Sequence, residues 1–205
     1  MVERQRIIAG SEELFKNASI KSVTMDEIAH HLGVSKKTIY THFKNKEELV
    51  MAMVTDNIED YKKNITLILR DPGNVFFKFF ELSNYVTAIF SGINPIQKND
   101  LCRHFPDIWS LFRKFKDEVL TAAFASILQK GKDNGLVRSE LRINILVQLR
   151  VDQIQQGFDK WVFPSNSFND YEVQEELRNL FLYGIATPKG LKVLQELPQL
   201  ILPIH

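Results

Sequence analysis

Three helix starts crowd into the stretch from Thr24 to Glu48, and that spacing leaves the chain few folds to choose from. Thr24 with Glu27 three positions on has the form of a capping box, Ser35 is a strong N-cap, and Asn45 with Glu48 repeats the capping pattern. These signals predict a helix over about 25–32, a second over about 36–42, and the start of a third after Asn45. Gly33 falls between the first two, where a sharp turn needs a left-handed backbone that costs glycine little. Ala29 is small enough to let the second helix cross closely over the first. Ile28, Leu32, Val34, Ile39 and Phe43 supply the apolar faces, which completes the requirements of a helix-turn-helix.

The same periodicity runs through the rest of the chain. Ile7, Ile8, Ser11, Leu14, Phe15 and Ala18 recur at helical spacing, as do Leu49, Val50, Met53, Ile58, Tyr61, Ile65 and Leu69. Strand-like alternation is hard to find, so the expected fold class is all-α. Asp71-Pro72-Gly73-Asn74 and Gly92-Ile93-Asn94-Pro95 end long helices, Phe105-Pro106 opens another, and Asp133-Asn134-Gly135 closes it. Pro164 to Asn169 forms a polar loop, and Thr187-Pro188-Lys189-Gly190 stops the last long helix. Of the 15 phenylalanines only Phe15 and Phe43 precede residue 51. Residues 1–46 are therefore expected to form a small module of short helices, and residues 47–205 an aromatic-rich bundle of long ones.

Composition narrows the function classes. At 205 residues, 44% hydrophobic and 25% charged, the chain suits a globular protein with a sizeable core. One cysteine, Cys102, excludes an internal disulfide, and no paired Cys/His spacing suggests structural zinc. His104 beside it adds little, and no metal or cofactor is expected. The N-terminus lacks a signal-peptide pattern and no run approaches the roughly 20 apolar residues of a membrane span, so a cytoplasmic protein without membrane contact is expected. The formal net charge is only +1, which by itself argues against a nucleic-acid partner. Averaging conceals the distribution, however, because residues 35–46 hold Lys36, Lys37, Lys44 and Lys46 with no acid.

With Ile39 packed inward, the second helix of the pair turns Ser35, Lys36, Lys37, Thr38, Tyr40 and Thr41 outward. Lysines supply charge to phosphates or a hydrogen bond to guanine, hydroxyls reach phosphate oxygens, and helix N-termini present free N–H groups. His42 and Lys46 extend this basic rim. No carboxylate pair, nucleophile–base arrangement or glycine-rich phosphate loop stands out, so no catalytic residue and no enzyme activity are expected.

On these residues the first quarter of the chain resembles the DNA-binding domain of the TetR family of bacterial transcriptional regulators. Ile7 to Phe15 is similar to the family's first helix, Met25 to Leu32 to its second, and Ser35-Lys36-Lys37-Thr38-Ile39-Tyr40 to its recognition helix. His42-Phe43-Lys44-Asn45-Lys46-Glu47-Glu48-Leu49 resembles the junction to its fourth. The resemblance implies that Thr24, Tyr40, His42 and Lys46 grip phosphates while Lys36, Lys37, Thr38 and Thr41 lie nearest the bases. Ser19 departs from the usual glycine after the first helix, and Lys37 from a frequent small residue.

In the remainder, Phe76, Phe77, Phe79 and Phe80 with Leu82, Tyr85, Val86, Ile89 and Phe90 make a helix apolar around most of its circumference, which calls for central burial. Trp109, Phe112, Phe115 and Phe124 offer matching surface. The family resemblance implies a pocket here for a small apolar or amphipathic effector, and Phe80, Asn84, Tyr85, Trp109, Phe112, Gln148 and Asp152 are the expected lining. Helices over about 142–159 and 170–186 resemble the family's dimerisation pair. Val147, Val151, Ile154 and Phe158 form one expected interface stripe, and Val173, Leu177, Leu180, Phe181 and Gly184 the other. The combined expectation is a homodimeric, ligand-responsive regulator, most simply a repressor, on palindromic double-stranded operator DNA. A regulator working through protein contacts, or an enzyme with a structural helix-turn-helix, is the alternative.

Overall fold

A computed structural model describes residues 3–197, and among these every regular element is a helix. Eleven helices run in chain order: α1 (Glu3–Asn17), α2 (Met25–Leu32), α3 (Lys36–His42), α4 (Lys46–Arg70), α5 (Val75–Ser91), α6 (Pro95–His104), α7 (Pro106–Lys114), α8 (Thr121–Asp133), α9 (Ile143–Gln156), α10 (Asp170–Ile185) and α11 (Pro188–Gln195). The all-α expectation holds. So do the ends of α2 and α3, because their caps form: Thr24 and Glu27 make the reciprocal capping box, and Ser35 Oγ accepts the Thr38 N–H at 3.0 Å. Gly33 closes α2 at φ 65°, the left-handed region where any side chain would be strained.

Three further elements complete the helical framework. A π-helical turn, Phe115–Leu120, joins α7 to α8. Between Gly92-Ile93 and Phe105-Pro106 lies the short helix α6, started by the Asn94 cap and Pro95. Beyond the stop at Thr187-Pro188, α11 begins with Thr187 as its cap.

Contacts divide the chain into two units. The first comprises residues up to Lys62 together with Ile93–Lys116, and the second Lys63–Gly92 together with residues from Asp117 on. In the first, Ile7, Phe15, Ile20, Ile28, Ile39, Phe43, Leu49 and Val50 are buried and fix how α1–α4 pack. In the second, α5 is the central helix. Phe76, Phe79, Leu82, Val86 and Ile89 are buried, whereas Phe77 and Phe80 are half-buried. The Phe79 ring stacks on Phe181 of α10 and tilts against Phe124 of α8, each at 5.3 Å between centroids.

A backbone clip closes the second unit. Arg138 N–H donates to the Ile185 carbonyl and Thr187 N–H to the Leu136 carbonyl, both at 2.9 Å, around the isolated bridge of Val137 with Ala186. Gly190 lies beneath this clip, where a Cβ would come within 2.2 Å of the Leu136 carbonyl oxygen. Backbone cannot rotate away as a side-chain tip can. Gly190→Ala should therefore cost about 1–3 kcal/mol, seen as a lower urea midpoint; an unchanged midpoint would mean that this close approach carries no weight.

Candidate nucleic-acid interface

The helix-turn-helix is built from inside out. Ile28 and Ile39 are both 0% exposed and Phe43 is 2% exposed, so α3 is locked by one face. Val34 N–H donates to the Ala29 carbonyl at 3.0 Å and holds the turn against α2. With Ile39 inward, Ser35, Lys36, Lys37, Tyr40 and Thr41 are exposed, and Thr38 and His42 are half-buried. Tyr40 stands 44% exposed, more than an aromatic needs for packing.

Each side chain of this face has a distinct state. Among the described residues the exposed Lys37 side chain has no hydrogen bond or ion pair, which leaves its ammonium open to an incoming phosphate or base. Lys36 instead pairs with both carboxylate oxygens of Asp26 on α2, at 2.8 and 2.9 Å, and this hydrogen bond raises its pKa. Exchange of that exposed partner for a phosphate is inexpensive. Thr38 Oγ1 lies 2.8 Å from Ser35 Oγ, and Thr41 Oγ1 donates to the Thr38 carbonyl at 2.6 Å. The Thr24 hydroxyl is occupied by the capping box, donating to Glu27 Oε2 at 2.8 Å; hydrogen bonds from the Thr24 backbone and then its side chain hold the Glu27 carboxyl below its usual range.

Lys46 differs most from its expected part. Its Nζ donates to the Lys21 carbonyl at 2.7 Å and the Val23 carbonyl at 2.9 Å, spending two of three donors on the loop between α1 and α2. Burial lowers its pKa, partly opposed by the charges of Asp100 and Glu27. One donor remains for any phosphate, and its first task is structural.

The same loop is held from its other side by α6. Asp100, 5% exposed, accepts Ser19 Oγ at 2.6 Å and Lys21 N–H at 3.2 Å, and Gln97 Nε2 donates to the Phe15 carbonyl at 2.6 Å. Ser19, the departure from the family's glycine, thus supplies a tie that glycine lacks. The sequence signal available was only an unassigned acid in a short polar segment.

The expected effector residues are spread among separate contacts. Trp109 stacks on Phe112 at 5.6 Å in the first unit. In the second, Asn84 Oδ1 accepts from Arg178, Phe80 lies under the Arg178 guanidinium, Tyr85 Oη accepts from Asn64, and exposed Gln148 donates to Asp152 on its own helix. Two cavities of the second unit are lined by none of the seven: one of about 280 Å³ by Leu69, Val75, Lys78, Ile127 and Lys130, another of about 210 Å³ by Leu67, Phe77, Lys78 and Glu81.

The expected interface residues divide between the inner and outer faces of their helices. Val147, Val151, Ile154, Val173 and Phe181 are buried inside their own protomer, which removes them from any outer surface. Phe158 and Leu177 are half-buried, whereas Leu180 is 69% exposed and Gly184 is open. Ile145 and Leu149 on α9 and Tyr183 on α10 join these as outward apolar groups. Both helices are apolar on two faces, and periodicity alone does not separate them: the expected α9 residues lie inward or half-buried, while those of α10 fall on both faces.

Among the described residues no cluster of His, Cys, Asp or Glu could hold a metal, and no helix is long and apolar enough to cross a membrane. A short helix exposing an acid-limited face over a glycine turn is the geometry of a DNA-reading helix-turn-helix. Comparison with known proteins agrees: residues 7–53 match the family described as bacterial regulatory proteins, tetR family. The HTH-type transcriptional regulator SAR2658 of Staphylococcus aureus is 32% identical over 185 residues, spanning 75% of this chain and 95% of its own. The HTH-type transcriptional repressor KstR2 of Mycolicibacterium smegmatis is 21% identical over 193 residues, 91% and 92% of the two chains. The fold is also that of the transcriptional regulator FadR from Bacillus subtilis, solved in complex with stearoyl-CoA, with a TM-score of 0.66 at 16% identity over 88% of this chain and 98% of that one. The chain belongs to the TetR family of bacterial transcriptional regulators.

The Asp100 tie makes the first unit acid-sensitive. Burial alone would raise its pKa, but the Ser19 and Lys21 hydrogen bonds and the charge of His104 outweigh it and hold the carboxyl below the ordinary aspartate value. A carboxyl depressed on folding stabilises above its unfolded pKa and loses that contribution as pH falls through the folded one. Between pH 7 and values below about 4, thermal unfolding of wild type should therefore lose more than that of Asp100→Asn. Parallel acid curves for the two proteins would contradict this.

Proposed function

We propose that this chain is a homodimeric repressor that grips a palindromic operator with α3 and lets go when a small apolar or amphipathic molecule binds its C-terminal part. Residues 1–46 read DNA in this account, and residues 47–205 carry effector binding and dimerisation. The observation that carries it is the outward face of α3: Ser35, Lys37, Tyr40 and Thr41 are exposed over a fully buried Ile39. Lys36 exchanges Asp26 for DNA, and Thr24, Thr38, His42 and the remaining donor of Lys46 complete the contact. A single helix of this length reads few base pairs, so specificity requires two copies with half-sites about one helical turn or more apart.

The second copy docks on the outward stripe of α9 and α10 around Ile145, Leu149, Leu180, Tyr183 and Gly184. Helix α4, continuous from Lys46 to Arg70, runs from the DNA-reading part into the second unit and is the covalent route by which an effector changes the spacing of the two α3 helices. The effector must bind the released spacing more tightly, or it shifts nothing. The stearoyl-CoA held by the FadR of like fold supports an amphipathic ligand, and the named repressor KstR2, similar over 91% of this chain, supports repression. The site of action is the bacterial cytoplasm, where the operator is.

Salt titration of binding tests the assignment. On a duplex carrying the DNA upstream of the protein's own gene, followed by fluorescence anisotropy, log affinity should fall linearly with log salt at about −0.9 per phosphate neutralised. Lys37→Ala should flatten the slope by about two for a dimer, one per protomer. A flat wild-type response, or an unchanged slope in Lys37→Ala, removes α3 from the DNA surface.

A further inference from the structure

Arg150 lies on α9 at 0% exposure, and its Nε, Nη1 and Nη2 find no hydrogen-bond acceptor among the described residues. Its guanidinium carbon lies 5.9 Å from the centre of the Phe79 ring. A buried guanidinium normally has a carboxylate facing it, because burial of an unpaired charge is costly. Here the neighbouring charge is another arginine. Burial, and then the like charge of Arg178, push Arg150 down to about 9, which leaves it protonated at pH 7.

Arg178 does not share its acid with Arg150. Its Nη1 donates to Asn84 Oδ1 at 2.7 Å, its Nη2 lies 3.8 Å from Glu175 Oε1, and its guanidinium covers the Phe80 ring at 4.3 Å. Two buried arginines against one buried glutamate leave one positive charge uncompensated. Further polar atoms without partners belong to the same helices: Ser83 Oγ on α5, Gln153 Oε1 on α9, and Gln174 Oε1 and Arg178 Nε on α10. Phe79 and Ser83, Arg150 and Gln153, and Gln174 and Arg178 are each three or four residues apart, so each pair shares a helix face. The three helices pack against one another. Amide oxygens can accept an N–H, but they bring no negative charge.

We propose that Arg150 is the anchor of an internal anion site in the α5–α9–α10 bundle, and that the effector is a small molecule with one carboxylate on an apolar body. This deepens the effector reading above and rests on it. The guanidinium fork matches a carboxylate with two parallel hydrogen bonds, the single uncompensated charge matches a monoanion, and Phe79, Ile154 and Phe181 supply apolar walls. Sealed inside one protomer, the site opens only if the helices part. Anion binding and rearrangement of the bundle are therefore the same event, as a ligand-driven switch requires.

Thermal unfolding of the full chain at pH 7 and constant ionic strength tests the site, with benzoate and octanoate as probes and benzyl alcohol and octanol as their uncharged counterparts. The carboxylates should raise the wild-type Tm by about 3 °C or more and the alcohols should not. Unliganded Arg150→Met should unfold at or above the wild-type temperature and lose the carboxylate response, while Arg150→Lys keeps part of it. Equal response to acid and alcohol in wild type, or carboxylate shifts that persist in Arg150→Met, would overturn the anion site. The same compounds added to the operator complex separate this inference from the functional reading. Release by carboxylates in wild type but not in Arg150→Met supports both. Stabilisation through Arg150 without release keeps the site and removes the effector role, whereas release by the alcohols alone, equal in both proteins, keeps a ligand-responsive regulator and overturns the anion site.

Discussion

Burial of Ile39 decides which way α3 faces, and the functional surface follows from that. With one helix face sealed against α2 through Ile28 and Ala29, the seven residues of α3 have no freedom to hide Lys37, Tyr40 or Thr41. A helix this short would not persist alone in water, since most helical stability in proteins comes from packing an apolar face. Its stability is borrowed from its packing against α2, and its caps only define where it begins and ends. The polar face is thereby left to chemistry.

That packing depends on the loop between α1 and α2 holding its place. Lys46 grips the loop by the carbonyls of Lys21 and Val23, and Asp100 grips it by Ser19 and the Lys21 N–H. Two opposite charges thus hold two kinds of backbone group, each with the sign that the group prefers. Lys46 also begins α4, so the start of that long helix is tied to the same loop that positions α2.

The most legible parts of the sequence were those whose physics is local. Thr24 with Glu27, Ser35 with Thr38 and Gly33 each act within four residues, and all three behave as their spacing implies. Helix α6 was not legible because only Asp100 among its residues is buried, which leaves no apolar stripe to detect. The stripes on α9 and α10 were visible, but both helices are apolar on two faces. Sequence spacing cannot tell the face that meets Phe79 from the face that meets solvent. Arg150 was the least legible of all: on a helix dense with polar residues an arginine is ordinarily a solvated one, and only the tertiary packing of α5 and α10 around it reveals an unpaired buried charge.

The net charge of +1 conceals two concentrations of positive charge of different kinds. One is exposed on α3 and suited to a polyanion; the other is sealed in the bundle and suited to a small one. The division of surfaces is tested most directly by photo-crosslinking from two positions, with p-benzoylphenylalanine in place of Tyr40 or of Leu180 in the operator-bound protein. The account predicts that position 40 attaches to DNA and position 180 to a second protomer. Silence at position 40 toward DNA, or attachment of position 180 to DNA, would contradict it.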